Sequence, residues 1–132
     1  MRTATEHSSL RVLVVEDETL VREMLIEVLT EQGFEVCAAA TAEQAMAVFA
    51  DGKTCDVMFT DINLGRGADG VALSWAARRL RPGLPVIYAS GTVGGLREIR
   101  AVPGASFLRK PYDPAAAGAL LRAAVSARLM PA

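Results

Sequence analysis

Residues 10–18 read Leu-Arg-Val-Leu-Val-Val-Glu-Asp-Glu, and this stretch decides the fold. A short apolar run that contains β-branched residues and stops at acidic ones is typical of a strand buried on both faces, as in a parallel sheet. From Thr19 the apolar spacing becomes helical, and Gly33 supplies a stop signal. The stretch therefore predicts a buried strand, a carboxylate-rich loop at its end, and a helix.

The same alternation between short apolar runs and helical spacing continues along the chain. Further strands are predicted at residues 34–39, 57–60, 86–89 and 105–109. Further helices are predicted from the capping-box pair Thr41 and Gln44 to near Gly52, over residues 71–81, and from Asp113-Pro114 onward. Between the fourth and fifth strands, the glycines and proline of residues 92–104 allow only a short helix. Trp75 is expected to pack its helix onto the sheet.

Five strands alternating with about five helices predict a parallel sheet covered by helices on both faces. Because crossover connections are right-handed, few topologies remain, and the strand order 2-1-3-4-5 is the common five-stranded solution. The fold class is therefore α/β, a flavodoxin-like, doubly wound three-layer sandwich. The length of 132 residues suits one such domain.

Composition excludes several classes of protein. Hydrophobic residues make up 52% of the chain, which is enough for a core, and the net charge of −1 argues against nucleic acid as a partner. The apolar runs are too short for a bilayer, and the polar stretch at residues 1–9 lacks a signal core, so we expect a cytoplasmic protein without a membrane partner. Cys37 and Cys55 form no C-x-x-C pair and are expected to be reduced, packed thiols.

Acidic side chains follow two strands that this topology makes neighbours. Ligand sites in such sheets form beyond the carboxyl ends of the strands where the strand order reverses, which here is between the first and third strands. Glu16 and Asp17 follow the first strand, and Asp61 closes the third. Packed carboxylates repel one another unless a cation or a proton intervenes, and all-oxygen ligands suit Mg²⁺.

Two more polar residues end strands at the same edge of the predicted sheet. Ser90 ends the fourth strand and offers a hydroxyl to a phosphoryl oxygen, while Lys110 ends the fifth and offers an ammonium. Aspartate can form an acyl phosphate, so Asp61 is the candidate nucleophile. Ser90, Lys110 and the cation would offset the charge of the transferring phosphoryl group.

This set of residues resembles the receiver domains of two-component response regulators, and the match runs from Leu10 to about Leu129. It rests on residues at the ends of four strands: Glu16-Asp17, Asp61, Ser90 and Lys110-Pro111. The resemblance implies that Glu16, Asp17 and Asp61 hold Mg²⁺ together with the backbone carbonyl of Asn63. It also implies that Asp61 takes its phosphoryl group from a histidine of a partner kinase or phosphotransfer protein.

The resemblance further implies a conformational switch and a domain layout. Ser90 would read the phosphoryl group, Phe107 would stand in the place of the switch aromatic, and the bond between Lys110 and Pro111 would be cis. The receiver domain would span residues 10–129 after a polar tail at 1–9. Such a domain is not an enzyme beyond its own phosphorylation and dephosphorylation. The sequence leaves the downstream partner and homodimer formation open.

The chain departs from the family pattern at three places. Residues 64–70 carry glycine where the family commonly has proline and look one residue longer, and residues 91–104 look shorter and richer in glycine. Phe107 has no hydroxyl, so switching would rest on burial of its ring. None of these departures touches the predicted phosphorylation site.

Three alternative functions are less well supported by the same residues. A Mg²⁺-dependent phosphohydrolase would want a second aspartate two positions after Asp61, where this chain has Asn63. An FMN carrier would need a phosphate-binding loop after the first strand, where Glu16-Asp17-Glu18 would repel a phosphate. A degenerate receiver that serves only for interaction is disfavoured because every site position is intact. The lone histidine, His7, gives a catalytic triad no support.

Overall fold

Five strands and four helices make up the described part of the chain, which a computed structural model gives for residues 9–65, 69–91 and 100–129. The strands are β1 (Arg11–Val15), β2 (Glu35–Ala39), β3 (Val57–Asp61), β4 (Val86–Ser90) and β5 (Ser106–Arg109). The helices are α1 (Thr19–Glu31), α2 (Ala42–Ala50), α3 (Gly70–Leu80) and α4 (Pro114–Leu129). All nine elements lie where the sequence predicted them.

The strands form one parallel sheet in the order β2-β1-β3-β4-β5, which confirms the predicted topology. β3 lies at the centre, and all five of its residues are buried. β1 pairs with both β2 and β3, so the strand order reverses beside β1. The carboxyl ends of β1 and β3 are therefore neighbours at one edge of the sheet.

Apolar side chains form two core layers, one on each face of the sheet. Phe49 of α2, Leu73 of α3 and Tyr88 of β4 belong to one layer. Leu25 of α1 and Leu121 of α4 belong to the other. Successive strand residues alternate between the layers, which gives the predicted three-layer sandwich.

Side-chain caps begin three of the helices. Thr41 Oγ1 accepts a hydrogen bond from the backbone N–H of Gln44 at 3.1 Å, as the capping pattern predicted. Asp113 Oδ1 accepts from Ala115 N–H at 3.0 Å and begins α4. The cap of α3 was not predicted: Asp69 Oδ1 accepts from Ala72 N–H at 2.7 Å, so the helix begins at Gly70.

The prediction for Trp75 is wrong. Its side chain is 44% exposed on the outer face of α3, and its indole Nε1 donates to the backbone carbonyl of Arg100 at 2.6 Å. Smaller residues on the same helix, such as Leu73 and Ala77, pack onto the sheet instead. An apolar residue type alone does not tell which face of a helix it occupies.

Three predictions fall wholly or partly on parts of the chain outside the described residues. The short helix expected before β5 lies mostly at residues 92–99, and the glycine-rich loop after β3 includes residues 66–68. The polar tail expected at residues 1–9 is likewise outside the described part except at Ser9. Among the described helices, none is long and apolar enough to cross a bilayer.

Candidate functional site

The ends of β1 and β3 bring three carboxylates together. Val15 pairs with Thr60, so the next residues along the two strands, Glu16 and Asp61, lie side by side. Carboxylate oxygens of Glu16, Asp17 and Asp61 lie within 4.8 Å of one another. Glu16 is 2% exposed and Asp61 is 6% exposed, whereas Asp17 faces solvent.

The amino group of Lys110 reaches this cluster from β5. Its Nζ lies 2.7 Å from Asp61 Oδ2 and 3.9 Å from Glu16 Oε1. The backbone N–H of Lys110 donates to the carbonyl of Ser90 at 2.8 Å, which fixes the residue beside the end of β4. The bond between Lys110 and Pro111 is cis, as the family resemblance implied.

A solvent-facing cleft of about 390 Å³ joins the predicted site residues. Its walls include Asp17, Asp61, Asn63, Ser90 and Lys110. Glu16 lies deeper, behind the carboxylates that face the cleft. The structure therefore gathers two of the predicted acids, the hydroxyl and the ammonium around one open space, with the third acid, Glu16, buried next to them.

The loop after β3 folds back over Asp61. Asn63 N–H donates to Asp61 Oδ1 at 3.2 Å, and Asn63 Oδ1 accepts from Gly65 N–H at 3.1 Å. Gly70 N–H donates to the carbonyl of Ile62 at 2.8 Å. A Cβ at Gly70 would lie 2.0 Å from the backbone oxygen of Asp61, so only glycine lets the start of α3 come this close.

Burial and charge act on the two groups that flank Asp61. Burial raises the pKa of Glu16 to about 7, although a hydrogen bond from the Glu18 N–H and the charge of Lys110 oppose this shift. Burial alone would lower the pKa of Lys110, but the hydrogen bond to Asp61 and the negative charges of Asp61 and Glu16 outweigh it and raise the pKa. The carboxylates therefore hold the lysine in its charged form.

The chemistry of this donor set fits a magnesium ion. Within the described part of the chain, Lys110 is the ammonium that pairs with these three carboxylates, and together they can carry more negative charge than it neutralises. Their oxygens are hard ligands within reach of one common point, and the open cleft leaves room for water and phosphate oxygens, which Mg²⁺ usually retains. The acidic cluster of Glu16, Asp17 and Asp61 thus fits a Mg²⁺ site.

Phe107 lies outside the cleft. It is 39% exposed on the edge strand β5, and its ring stacks on that of Tyr88 with centroids 5.4 Å apart and an interplanar angle of 29°. The structure thus places the ring between solvent and the core. The switching role assigned to Phe107 stays a prediction.

Tyr112 is a site neighbour that the sequence did not single out. Its ring packs edge-on against Phe59 with centroids 5.7 Å apart, and its hydroxyl oxygen is buried without a hydrogen-bond partner among the described residues. Burial, together with the charges of Glu16 and Asp61, raises the pKa of this phenol. The sequence signal that could have identified Tyr112 as a site neighbour was its position directly after Lys110-Pro111.

Comparison with known proteins places the chain in a family. The response regulator receiver domain family matches residues 12–122. A response regulator receiver protein of Anaeromyxobacter is 36% identical over 104 residues, which cover 76% of this chain and 40% of that protein. The transcriptional regulatory protein TcrA of Mycobacterium tuberculosis is 33% identical over 80% of this chain and 42% of its own length.

Solved structures share the fold. A response regulator receiver protein from Sinorhizobium medicae superimposes with a TM-score of 0.85 at 26% identity, over 92% of this chain and 98% of that one. The response regulator TrrA of Thermotoga maritima, solved in complex with Mg²⁺ and BeF, gives a TM-score of 0.75 at 24% identity, over 87% of this chain and 98% of that one.

The matches cover different shares of this chain and of its relatives. The chain spans less than half the length of the curated relatives named above. The family match covers most of this chain and includes all the predicted site residues. The chain belongs to the response regulator receiver domain family, the phosphoacceptor signalling module of two-component systems.

Proposed function

We propose that Asp61 is the phosphoacceptor of this domain and that Glu16, Asp17, Asp61 and the backbone carbonyl of Asn63 hold the Mg²⁺ that its phosphorylation requires. The observation that carries the proposal is the position of Asp61. Its carboxylate touches the Lys110 ammonium at 2.7 Å, lies beside two further carboxylates and borders an open cleft. A carboxylate that served only to cap a turn would need none of these neighbours.

In the proposed reaction, a carboxylate oxygen of Asp61 forms a bond to phosphorus while the phosphorus–nitrogen bond of a phosphohistidine breaks. The electron pair of that bond leaves with the donor imidazole. Lys110 and the Ser90 hydroxyl offset the negative charge on the phosphoryl oxygens, and a Mg²⁺ held by the carboxylates would supply further positive charge. Asn63 N–H, which donates to Asp61 Oδ1, orients the carboxylate.

The proposed donor is a histidine kinase or a histidine phosphotransfer protein in the cytoplasm. The proposed domain spans residues 10–129 after a tail at 1–9, and it catalyses only its own phosphorylation and dephosphorylation. A Mg²⁺–BeF complex of the Thermotoga neighbour TrrA supports the choice of cation. Ser90 and Phe107 are the proposed switch residues, and the downstream target is a protein.

The test is covalent labelling by a small phosphodonor. We expect wild-type protein incubated with acetyl phosphate and Mg²⁺ to gain one acid-labile phosphoryl group by intact mass, and Asp61→Asn to gain none. Asp51→Asn is the matched control, because Asp51 is exposed at the end of α2, away from the cleft, and its variant should label like wild type. Labelling of Asp61→Asn at the wild-type level would show that the acceptor is another residue.

A further inference from the structure

The hydroxyl of Tyr88 lies at the centre of a buried chain of hydrogen bonds. Tyr88 is fully buried in β4, two residues before Ser90. Its hydroxyl lies 2.5 Å from Ser74 Oγ of α3 and accepts the backbone N–H of Val102 at 3.1 Å. These hydrogen bonds therefore connect α3, β4 and the segment that leads into β5.

The direction of each hydrogen bond follows from counting protons. Ser74 Oγ donates its single proton to the carbonyl of Val71 at 2.6 Å, so it must accept the proton of Tyr88. The Tyr88 oxygen is then an acceptor for Val102 N–H. Each proton has one acceptor, so replacing Tyr88 by a residue without a hydroxyl, such as phenylalanine, leaves the buried Val102 N–H without this acceptor.

A second contact from α3 holds the same segment. Trp75, next to Ser74, donates its indole N–H to the carbonyl of Arg100 at 2.6 Å. Trp75 thus binds position 100 directly, and Ser74 is linked to position 102 through the Tyr88 hydroxyl. We call this set of contacts the α3 latch: Ser74 and Trp75 of α3, Tyr88 of β4, and the backbone of Arg100 and Val102.

The α3 latch is also in contact with the candidate switch aromatic. Tyr88 pairs with Phe107 across the β4–β5 ladder, and the two rings stack. Phe107 therefore covers one face of the Tyr88 ring, while the Tyr88 hydroxyl accepts the hydrogen bond that fixes Val102. Any movement of Phe107 into the core would meet a ring whose position the latch determines.

We propose that the α3 latch holds residues 100–102 and Phe107 in the unphosphorylated arrangement, and that its strength sets how readily the domain switches. The coupling part of this proposal rests on the proposed function of Asp61. Tyr88 and Trp75 act as positioning residues, since neither lies among the residues that line the cleft. A variant with a weaker latch should populate the activated conformation, the one that phosphorylation favours, more than the wild type does, and the unphosphorylated conformation less.

Two variants keep an aromatic ring while removing either the two hydrogen bonds of the Tyr88 hydroxyl or the single hydrogen bond of the Trp75 indole. Tyr88→Phe leaves Val102 N–H without its acceptor inside the core, and Trp75→Phe removes only the indole donor on the exposed face. Leu80→Ala is the matched control, because it truncates an exposed apolar side chain of the same helix. Trp75→Phe keeps the test decisive if Tyr88→Phe folds poorly.

The first measurement is amide hydrogen exchange of the full chain without any ligand. We expect exchange at Val102 to rise by about tenfold or more in Tyr88→Phe, since a buried hydrogen bond is lost. Residues 100–102 should also exchange faster in Trp75→Phe, while the amides of β1 stay unchanged in both variants. Exchange at the wild-type rate in both variants would overturn the proposed latch.

The second measurement is a titration with beryllofluoride, a mimic of the aspartyl phosphate, in the presence of Mg²⁺. We expect the midpoint concentration to fall roughly threefold to tenfold in Tyr88→Phe and less in Trp75→Phe, with Leu80→Ala at the wild-type value. Faster exchange with an unchanged midpoint would overturn the coupling and leave a purely structural contact. A wild type that does not bind beryllofluoride would instead contradict the proposed function itself, and the coupling with it.

Discussion

The ammonium of Lys110 lies 2.7 Å from Asp61 Oδ2, although 49 positions separate the two residues in the chain. The same ammonium is 3.9 Å from Glu16 Oε1, so it is shared between two buried carboxylates. Lys110 therefore supplies the cluster with a positive charge that is present whether or not a metal ion is bound. A resident positive charge should help an incoming phosphoryl group and hinder an incoming metal ion, and these two effects can be measured separately.

Replacement of Lys110 by alanine should change the two properties in opposite directions. We expect labelling by acetyl phosphate to slow by roughly tenfold or more, because one charge that offsets the phosphoryl oxygens is lost. Mg²⁺ affinity should rise several-fold, because the cation no longer meets a like charge. Intact-mass kinetics and calorimetric titration measure the two effects. Lys53→Ala is the control, since Lys53 is exposed and lines a different cleft from the one that the site residues line. A parallel fall in both properties of Lys110→Ala would contradict the shared-cation picture.

Loss of one acidic ligand should weaken the metal site selectively. We expect Asp17→Asn to lower Mg²⁺ affinity by about tenfold or more, because the amide keeps an oxygen but loses the charge that attracts the ion. Glu18→Gln removes the same charge from the neighbouring exposed residue and should leave the affinity within about twofold of wild type. Calorimetric titration of the two variants decides the point. Equal losses would mean that Mg²⁺ responds to the general acidity of the loop and has no defined ligand at Asp17.

The start of α3 should tolerate no side chain at Gly70. A methyl group there would lie 2.0 Å from the backbone oxygen of Asp61, so β3 or α3 must shift. We expect Gly70→Ala to lower the free energy of unfolding by about 2 kcal/mol or more and to slow phosphorylation of Asp61. Urea denaturation measures the first effect. Gly104→Ala is the comparison, because Gly104 lies in a turn where a Cβ meets nothing within 4 Å. Its cost comes from its φ of +78° alone and should not affect phosphorylation.

The sequence predicted those features that depend on pattern and strand order. The run that ends at Glu16-Asp17 and the run that ends at Asp61 were sufficient to predict neighbouring strands, and the parallel register then brings the carboxylates together. Lys110 could be placed at the same edge because it ends another strand. These inferences need only the period of the apolar residues and the handedness of the crossovers.

Other features depend on contacts that no local pattern contains. Trp75 looked like a core residue, but its exposure depends on how α3 is rotated, and its bond to Arg100 depends on a backbone carbonyl far along the chain. The role of Gly70 follows from an approach to Asp61 that only coordinates show. The same holds for Tyr88, whose hydroxyl bonds reach Ser74 and Val102 on two other segments.

The thiol of Cys55 provides a test of packing at the opposite end of the sheet. Its Sγ donates to the carbonyl of Val57 at 3.2 Å, and burial raises its pKa to about 11 from the ordinary value of 9.0. Because only the thiolate reacts, we expect alkylation by iodoacetamide at pH 8 to be roughly a hundredfold slower in the folded protein than in urea. The Cys37→Ser variant isolates the signal of Cys55, and mass spectrometry follows the reaction. Because burial raises the pKa of Cys55, the alkylation rate of the folded protein should keep rising with pH up to about 11. Equal rates in the folded and denatured protein would show that this end of the sheet opens to solvent.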